Sequence, residues 1–242
     1  MSQAFLIAAS QGENNALSGA PIADQARPIL LDLFKQAGLQ PQRLQEIHWC
    51  GGDPDYWLTS LIHQVGFSAE IARFQWPVAP LISHFVLQNA ARSIETGSRD
   101  LILLSQVSGE RVTALLLASP AAVGRYNLAP RARIAACFSI GLDSKQRAGS
   151  PEAFLETARS VIEKNGEDLA DVHLLAAERP PANKAVNKGF PSASWLNSSV
   201  RGGDYALLHA LVSRLEEEKQ RFGLLLSTGP QSTGLATLVE RV

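Results

Sequence analysis

Apolar residues run without interruption over residues 4–9, AFLIAA, as expected of a strand buried on both faces. A polar stretch, SQGENNALSG, follows. Within ARPILLDLFKQAG, Ile29, Leu30, Leu33 and Phe34 fall at helical spacing, and Gly38 supplies a C-terminal stop. EIHWC (46–50) reads as the next strand, GGDPDYW as a turn-rich loop and LTSLIHQVGF as a short helix. ISHFVLQNAARSIET (82–96) predicts a helix ending at Gly97. DLILLSQ (100–106) and VTALLLAS (112–119) are apolar strands with only the five residues Val107 to Arg111 between them.

The same order then begins again. RIAACFSIG (133–141) is an apolar strand. Phe154, Leu155, Ala158, Val161 and Ile162 make a helical stripe, with Pro151 suited to its first turn. DVHLLAAE (171–178) is a strand, and 179–199, with three prolines and one glycine, is the least regular part of the chain. Leu207, Leu208, Leu211 and Leu215 make a helix whose outer face ends in EEEKQR. FGLLLS (222–227) and LATLVERV (235–242) complete the pattern.

The recurrence is quantitative. LILLSQVSGERVTALLLAS lies over GLLLSTGPQSTGLATLVER, with Ser105 on Ser227 and Ala114 on Ala236, both at an offset of 122. LQEIHW lies over LADVHL, with His48 on His173 at an offset of 125. The pattern predicts an α/β protein built from two copies of a β-α-β-α-β-β unit, residues 1–130 and 131–242. No Gly- or Ser-rich linker separates them, so one closely packed unit is expected.

Composition removes whole classes of function. A formal net charge of −1 gives no general attraction to nucleic acid. Cys50 and Cys137 are the only two cysteines, so neither a disulfide framework nor a CxxC site is available. MSQAFLIAASQGENN has no basic start, so it does not read as a signal peptide, and the apolar runs are too short for a membrane span. A cytoplasmic protein is expected.

Common catalytic motifs are missing from the chain: it carries no phosphate loop, no GxGxxG and no GxSxG elbow. Its five histidines show no HExxH spacing, so no metal site is expected. Gly202-Gly203, followed by a helix holding His209, is the best local signal. A glycine pair lets backbone approach a ligand closely, and a histidine near a helix start can serve as base or oxyanion donor. The same residues equally suit a helix-entry turn and a hydrogen-bonded core histidine. Cys50 ends a strand beside Gly51-Gly52, with His48 on the same face, and reads either as a nucleophile or as a buried thiol. Cys137, inside an apolar strand, reads as core. Ser227-Thr228-Gly229 ends a strand and offers backbone donors or an ordinary turn.

These segments together resemble the thiolase superfamily. AFLIAAS is similar to its first strand, and LFKQAGLQPQRLQEIHWCGG to its helix and following strand. AARSIETGSRDLILLSQVSG resembles the stretch after the family's nucleophile. LAPRARIAACFSIGLD resembles the strand opening the second half. VRGGDYALLHAL resembles the N-G-G-x-x-x-x-G-H-P signature, and TGLATLVERV the last strand. The resemblance implies a five-layered α-β-α-β-α core made of two like halves. It sets His209 on the family's catalytic histidine, although Leu208, Ala210 and Arg201 replace the flanking Gly, Pro and Asn. The nucleophilic cysteine's place falls near Ala79 or Pro80, where this chain has no cysteine. The second active cysteine's place falls near Thr228, and LAAERP (175–180) stands where the family has N-E-A-F. The family's long substrate-covering insertion has only Val107 to Arg111 in its place.

The resemblance therefore implies a non-catalytic protein without a cofactor. It would be a homodimer, or a heterodimer with a thiolase- or ketosynthase-like chain, in an acyl-CoA or acyl-carrier-protein condensing system. Gly202, Gly203, Thr228 and Gly229 are its candidate substrate-binding residues. The competing expectation is a divergent acyltransferase using His209 with Cys50, or with Ser83 and His84. A third is a ligand-binding module that uses the uncovered site.

Overall fold

The structure is a computed structural model. It describes residues 4–13, 22–51, 56–77, 79, 81–108, 111–141, 151–164, 171–177, 190, 193–196, 202–228 and 233–242. The first half contains β1 (Ala4–Glu13), α1 (Ile22–Ala37), β2 (Glu46–Cys50), α2 (Tyr56–Val65), β3 (Ala72–Trp76), α3 (Ile82–Glu95), β4 (Leu101–Ser108) and β5 (Arg111–Ala118). A short helix, α4 (Pro120–Tyr126), leads to β6 (Ala132–Gly141), α5 (Pro151–Lys164), β7 (Val172–Ala177) and β8 (Ser194–Trp195). Helix α6 (Gly203–Glu218), β9 (Phe222–Thr228) and β10 (Thr233–Arg241) follow.

Among the described residues, ten strands form one sheet in the order β3-β2-β4-β5-β1-β6-β10-β9-β7-β8. Its two ends mirror each other. Read from the outer edge inward, β3-β2-β4-β5-β1 matches β8-β7-β9-β10-β6. Strand β1 joins them. Phe5–Glu13 pairs with β5, while Ala4–Leu6 pairs with β6.

The core divides by layer. Helices α1 and α2 pack on the outer face of the first five strands, burying Leu30, Leu33, Ile47, Trp49 and Leu61. Helices α3 and α6 lie between the two half-sheets, burying Leu87, Ile102, Leu104, Leu208, Leu211 and Leu225. Helix α5 covers the far face, with Leu155, Ala158 and Ile162 against Leu175, Leu224 and Leu238. This is an α-β-α-β-α stack. It explains why β4 reads as a continuous apolar run although it pairs antiparallel with β5. Helices cover both of its faces, so Leu101 and Leu103 enter one core and Ile102 and Leu104 the next. At the centre, Leu211 of α6 sits on Gly223 of β9, where a Cβ would stand 2.8 Å from Leu211 Cδ1.

Two features go beyond the sequence pattern. Each half carries a further strand at its outer edge, β3 and β8. ARFQW and SW gave no apolar run, because an edge strand leaves much of itself exposed. Helix α4 was also missed. Its signal is Ser119-Pro120, in which Ser119 Oγ accepts from Ala122 N at 3.1 Å and proline occupies the first helical position. The histidine overlay does not persist in the ladder. His48 pairs with Leu104, whereas His173 falls in an irregularity between Val172 and Leu174.

Candidate functional site

The first turns of α3 and α6 meet in the central layer, between the ends of β2, β4 and β9. Helix α3 is headed by Leu81, held in the left-handed region at φ 67°, whose carbonyl accepts the first helical bond from Phe85 N at 2.8 Å. Such a conformation costs a β-carbon residue about 1–2 kcal/mol. The next turn carries Ser83 and His84, both buried. Helix α6 starts after Gly202 (φ 127°) and at Gly203 (φ 78°), with Asp204 in its first turn. A Cβ on Gly203 would lie 2.4 Å from Nε2 of Gln106 on β4. Glycine is needed there because Gln106 Oε1 accepts from Tyr205 N at 3.1 Å. The first half thus caps the principal helix of the second.

A directed hydrogen-bond chain links these turns. Ser83 and Ser227 each donate to the Asp204 carboxylate, at 2.5 and 2.6 Å. Because the Ser227 proton is committed to Asp204, His84 Nδ1 must donate to Ser227 Oγ across 2.7 Å. His84 Nε2 is then the acceptor, and the Thr237 hydroxyl at 2.8 Å donates to it. Gln88 closes the chain by donating to Thr237 Oγ1 at 3.3 Å and to the Ala236 carbonyl at 3.1 Å. Burial pulls the His84 pKa down to about 4, against the opposing pull of Asp204. The ring is therefore neutral at pH 7, in agreement with the assignment of its protons. Both of its nitrogens are occupied, so it has none left to serve as a base.

Cys50 lies 3.6 Å from the Tyr205 hydroxyl at the edge of this network. Burial pushes its thiol up to about 11, a Tyr205 hydrogen bond only partly offsetting it. The same burial raises Tyr205 well above its ordinary value. Cys137 is likewise pushed up to about 11 by burial. At neutral pH both cysteines are thiols, the poorly nucleophilic form.

The structure brings together Cys50, Ser83, His84, Gly202 and Gly203 from the sequence-derived candidates. His209 is placed elsewhere. Because α6 begins at Gly203, His209 stands in its second turn. Burial and the Arg131 guanidinium lower its pKa, with Glu216 opposing them. No hydrogen bond joins it to the network among the described residues. Thr228 is the exposed end of β9, paired with Gly234. Gly229 lies outside the described residues, as do Pro80 and Arg201. Ala79 caps no nucleophile, its carbonyl accepting from Ile82 N at 3.2 Å. Sequence reasoning missed Asp204, Thr237, Gln88 and Gln106. Asp204, an acid directly after a glycine pair at a helix start, is the one with a local signal.

Depressions of about 380 and 190 Å³ lie at Gln42–Gln45 with Arg99 and at Leu58–Thr59 with Arg73, and neither borders the network. Strands β4 and β5 pair as far as Ser108 and Arg111, leaving two residues for their connection. Among the described residues, no group of three His, Cys, Asp or Glu side chains is placed to hold a metal ion, and no helix is long and apolar enough to cross a membrane.

No protein-family model matches the chain, and no curated protein matches its sequence. Solved structures do match its fold. The acetyl-CoA acetyltransferase of Bacillus anthracis is 12% identical, with a TM-score of 0.76 over 100% of this chain and 99% of that one. Human mitochondrial 3-ketoacyl-CoA thiolase is 13% identical, with a TM-score of 0.73 over 99% of each chain. An oxazolomycin ketosynthase domain from Streptomyces albus is 13% identical, with a TM-score of 0.72 over 99% of this chain and 95% of that one. The likeness is one of fold, and the fold is that of the thiolase superfamily.

Proposed function

We propose that this chain uses the thiolase-superfamily fold without its chemistry, as a dimerising partner or accessory subunit of an acyl-CoA or acyl-carrier-protein condensing system. In this reading residues 1–130 and 131–242 are the two halves of one cytoplasmic, cofactor-independent subunit. The observation that carries it is the head of α3. Leu81 stands there, and among the described residues the nearby groups able to attack an acyl carbon are buried and hydrogen-bonded. Ser83 donates a hydrogen bond to Asp204, His84 has both nitrogens bonded, and Cys50 is a buried thiol. Covalent acyl transfer needs a nucleophile paired with a free base. Here the base that faces a hydroxyl is Asp204, a carboxylate already shared between Ser83 and Ser227, and in this reading His209 takes no part in acyl transfer.

Support for assembly comes from the edge of the sheet. Among the described residues strand β3 pairs only with β2, and Phe74 on it is exposed. An edge strand with an exposed aromatic is a surface to which a second chain can add. The second chain is another copy or a thiolase- or ketosynthase-like partner.

Intact-mass spectrometry after incubation with acyl-CoA and acyl-carrier-protein thioesters tests the chemical half of this reading. The expected result is an unchanged mass. A covalent acyl adduct that disappears in Ser83→Ala or Cys50→Ala would establish the competing reading, a divergent acyltransferase.

A further inference from the structure

The larger depression, about 380 Å³, lies away from the central network, where β2, β3 and β4 begin. These strands are parallel, so their first residues open on the same end of the sheet. Gln45 ties the three entries together. Its backbone N–H donates to Leu101 O at 3.3 Å, and its carbonyl accepts from Ala72 N at 3.1 Å. Its Oε1 accepts from Asp100 N at 2.6 Å and from Leu101 N at 3.2 Å, which leaves the Nε2 group as a donor. Ser68 Oγ accepts from Glu70 N at 3.2 Å, so its hydroxyl proton is likewise left to donate. Arg99 is fixed by Glu46, whose Oε2 accepts from Nε at 2.7 Å, and by Ser98 O, which accepts from Nη1 at 2.8 Å. Glu46 thereby offsets the Arg99 charge and leaves Nη2 as a further donor.

The remaining charged side chains lining the hollow are Arg43 and Glu70, both exposed. Among the described residues neither side chain forms an ion pair or a hydrogen bond, with the other or elsewhere. Opposite charges that share a hollow without touching leave room for a molecule that carries both. We propose that this hollow binds a small zwitterion of the α-amino-acid type: Arg43, Arg99 and Gln45 donate to its carboxylate, and Glu70 accepts from its ammonium group. The charge balance selects this class. With Arg99 matched by Glu46, one cation and one anion remain uncompensated. A plain anion would face Glu70 and a plain cation would face Arg43, whereas a zwitterion of zero net charge satisfies both. Guanidinium groups suit a carboxylate because their planar N–H forks match its two oxygens. The volume lies at the small end of the range of ligand sites. This site is separate from the assembly and the chemistry argued above, and it stands or falls without them.

The test is an NMR titration of the whole chain with each standard L-amino acid at millimolar concentration, following the backbone amides of Gln45, Ser68 and Ala72. At least one amino acid should shift these amides saturably. The same molecule without its ammonium group, and the same molecule without its carboxylate, should each bind about ten-fold more weakly. Arg43→Gln and Glu70→Gln should each weaken the amino acid by about ten-fold. Both side chains are exposed, so neither variant should change the melting temperature. Glu70→Gln should leave binding of the ammonium-free acid undiminished, a split that a merely structural role would not produce. Absence of binding by every amino acid overturns the proposal, as do shifts confined to amides elsewhere. Equal binding of the ammonium-free acid, or an unchanged affinity in either variant, overturns it as well.

Discussion

Acid should unfold this protein partly through one buried ring. His84 is completely buried and its pKa is pulled from 6.5 to about 4. In the unfolded chain the imidazole takes its proton near its ordinary value, whereas in the folded chain it resists until much lower pH. Between those values the unfolded state binds more protons, so stability falls as pH falls. The contribution is complete above pH 6.5 and is lost progressively down to pH 4. At about 1.36 kcal/mol per pKa unit, the loss amounts to ~3 kcal/mol. For a chain of this size that corresponds to a drop of about 6–12 °C in melting temperature. His84→Gln keeps hydrogen-bonding capacity towards Ser227 and Thr237 and removes the titration. Urea melts of both proteins at half-unit pH steps give a difference curve in which the other titrating groups cancel. That curve should be flat above pH 7 and fall by ~3 kcal/mol by pH 4. A difference constant within about 0.5 kcal/mol, which is the size of an ordinary surface effect, would refute the assignment of a neutral, doubly bonded His84.

Three further outcomes follow from the same geometry. Leu81→Gly should be more stable than Leu81→Ala by about 1 kcal/mol, because only glycine adopts φ 67° without strain; equal thermal midpoints would remove the strain at the head of α3. Gly203→Ala should cost about 1–3 kcal/mol, since its φ is 78° and its Cβ would meet Gln106. A silent substitution there, read by chemical denaturation, would mean that Gln106 does not cap α6. Cys50 and Cys137, both pushed up to about 11, should react with an aromatic disulfide reagent at pH 7 far more slowly in the folded than in the urea-unfolded chain. Rapid labelling of Cys50 in the folded state would revive it as a nucleophile.

The layered architecture was legible in the sequence because both half-sheets are covered on two faces. That burial writes uninterrupted apolar runs such as Leu101–Leu104, and their recurrence exposed the duplication. Strand β3 was not legible, because an edge strand has little to bury. The central network was hidden for a different reason. Ser83 and Asp204 are 121 residues apart, and His84 and Thr237 are 153 apart, so only folding brings them together. His209 is a candidate in the sequence from its place after Gly202-Gly203, where a core histidine suits equally well. The helix begins at that glycine pair, which carries His209 along the axis to Arg131 and Glu216 and leaves Asp204 in the central layer.

Sedimentation velocity tests the central claim most directly, on the chain alone over a wide concentration range and on the chain mixed with a thiolase- or ketosynthase-like chain from the same cell. The account predicts a two-chain species in at least one of these runs, diminished by Phe74→Lys at the β3 edge. A chain that sediments as a monomer at every concentration, with and without the second protein, would contradict it.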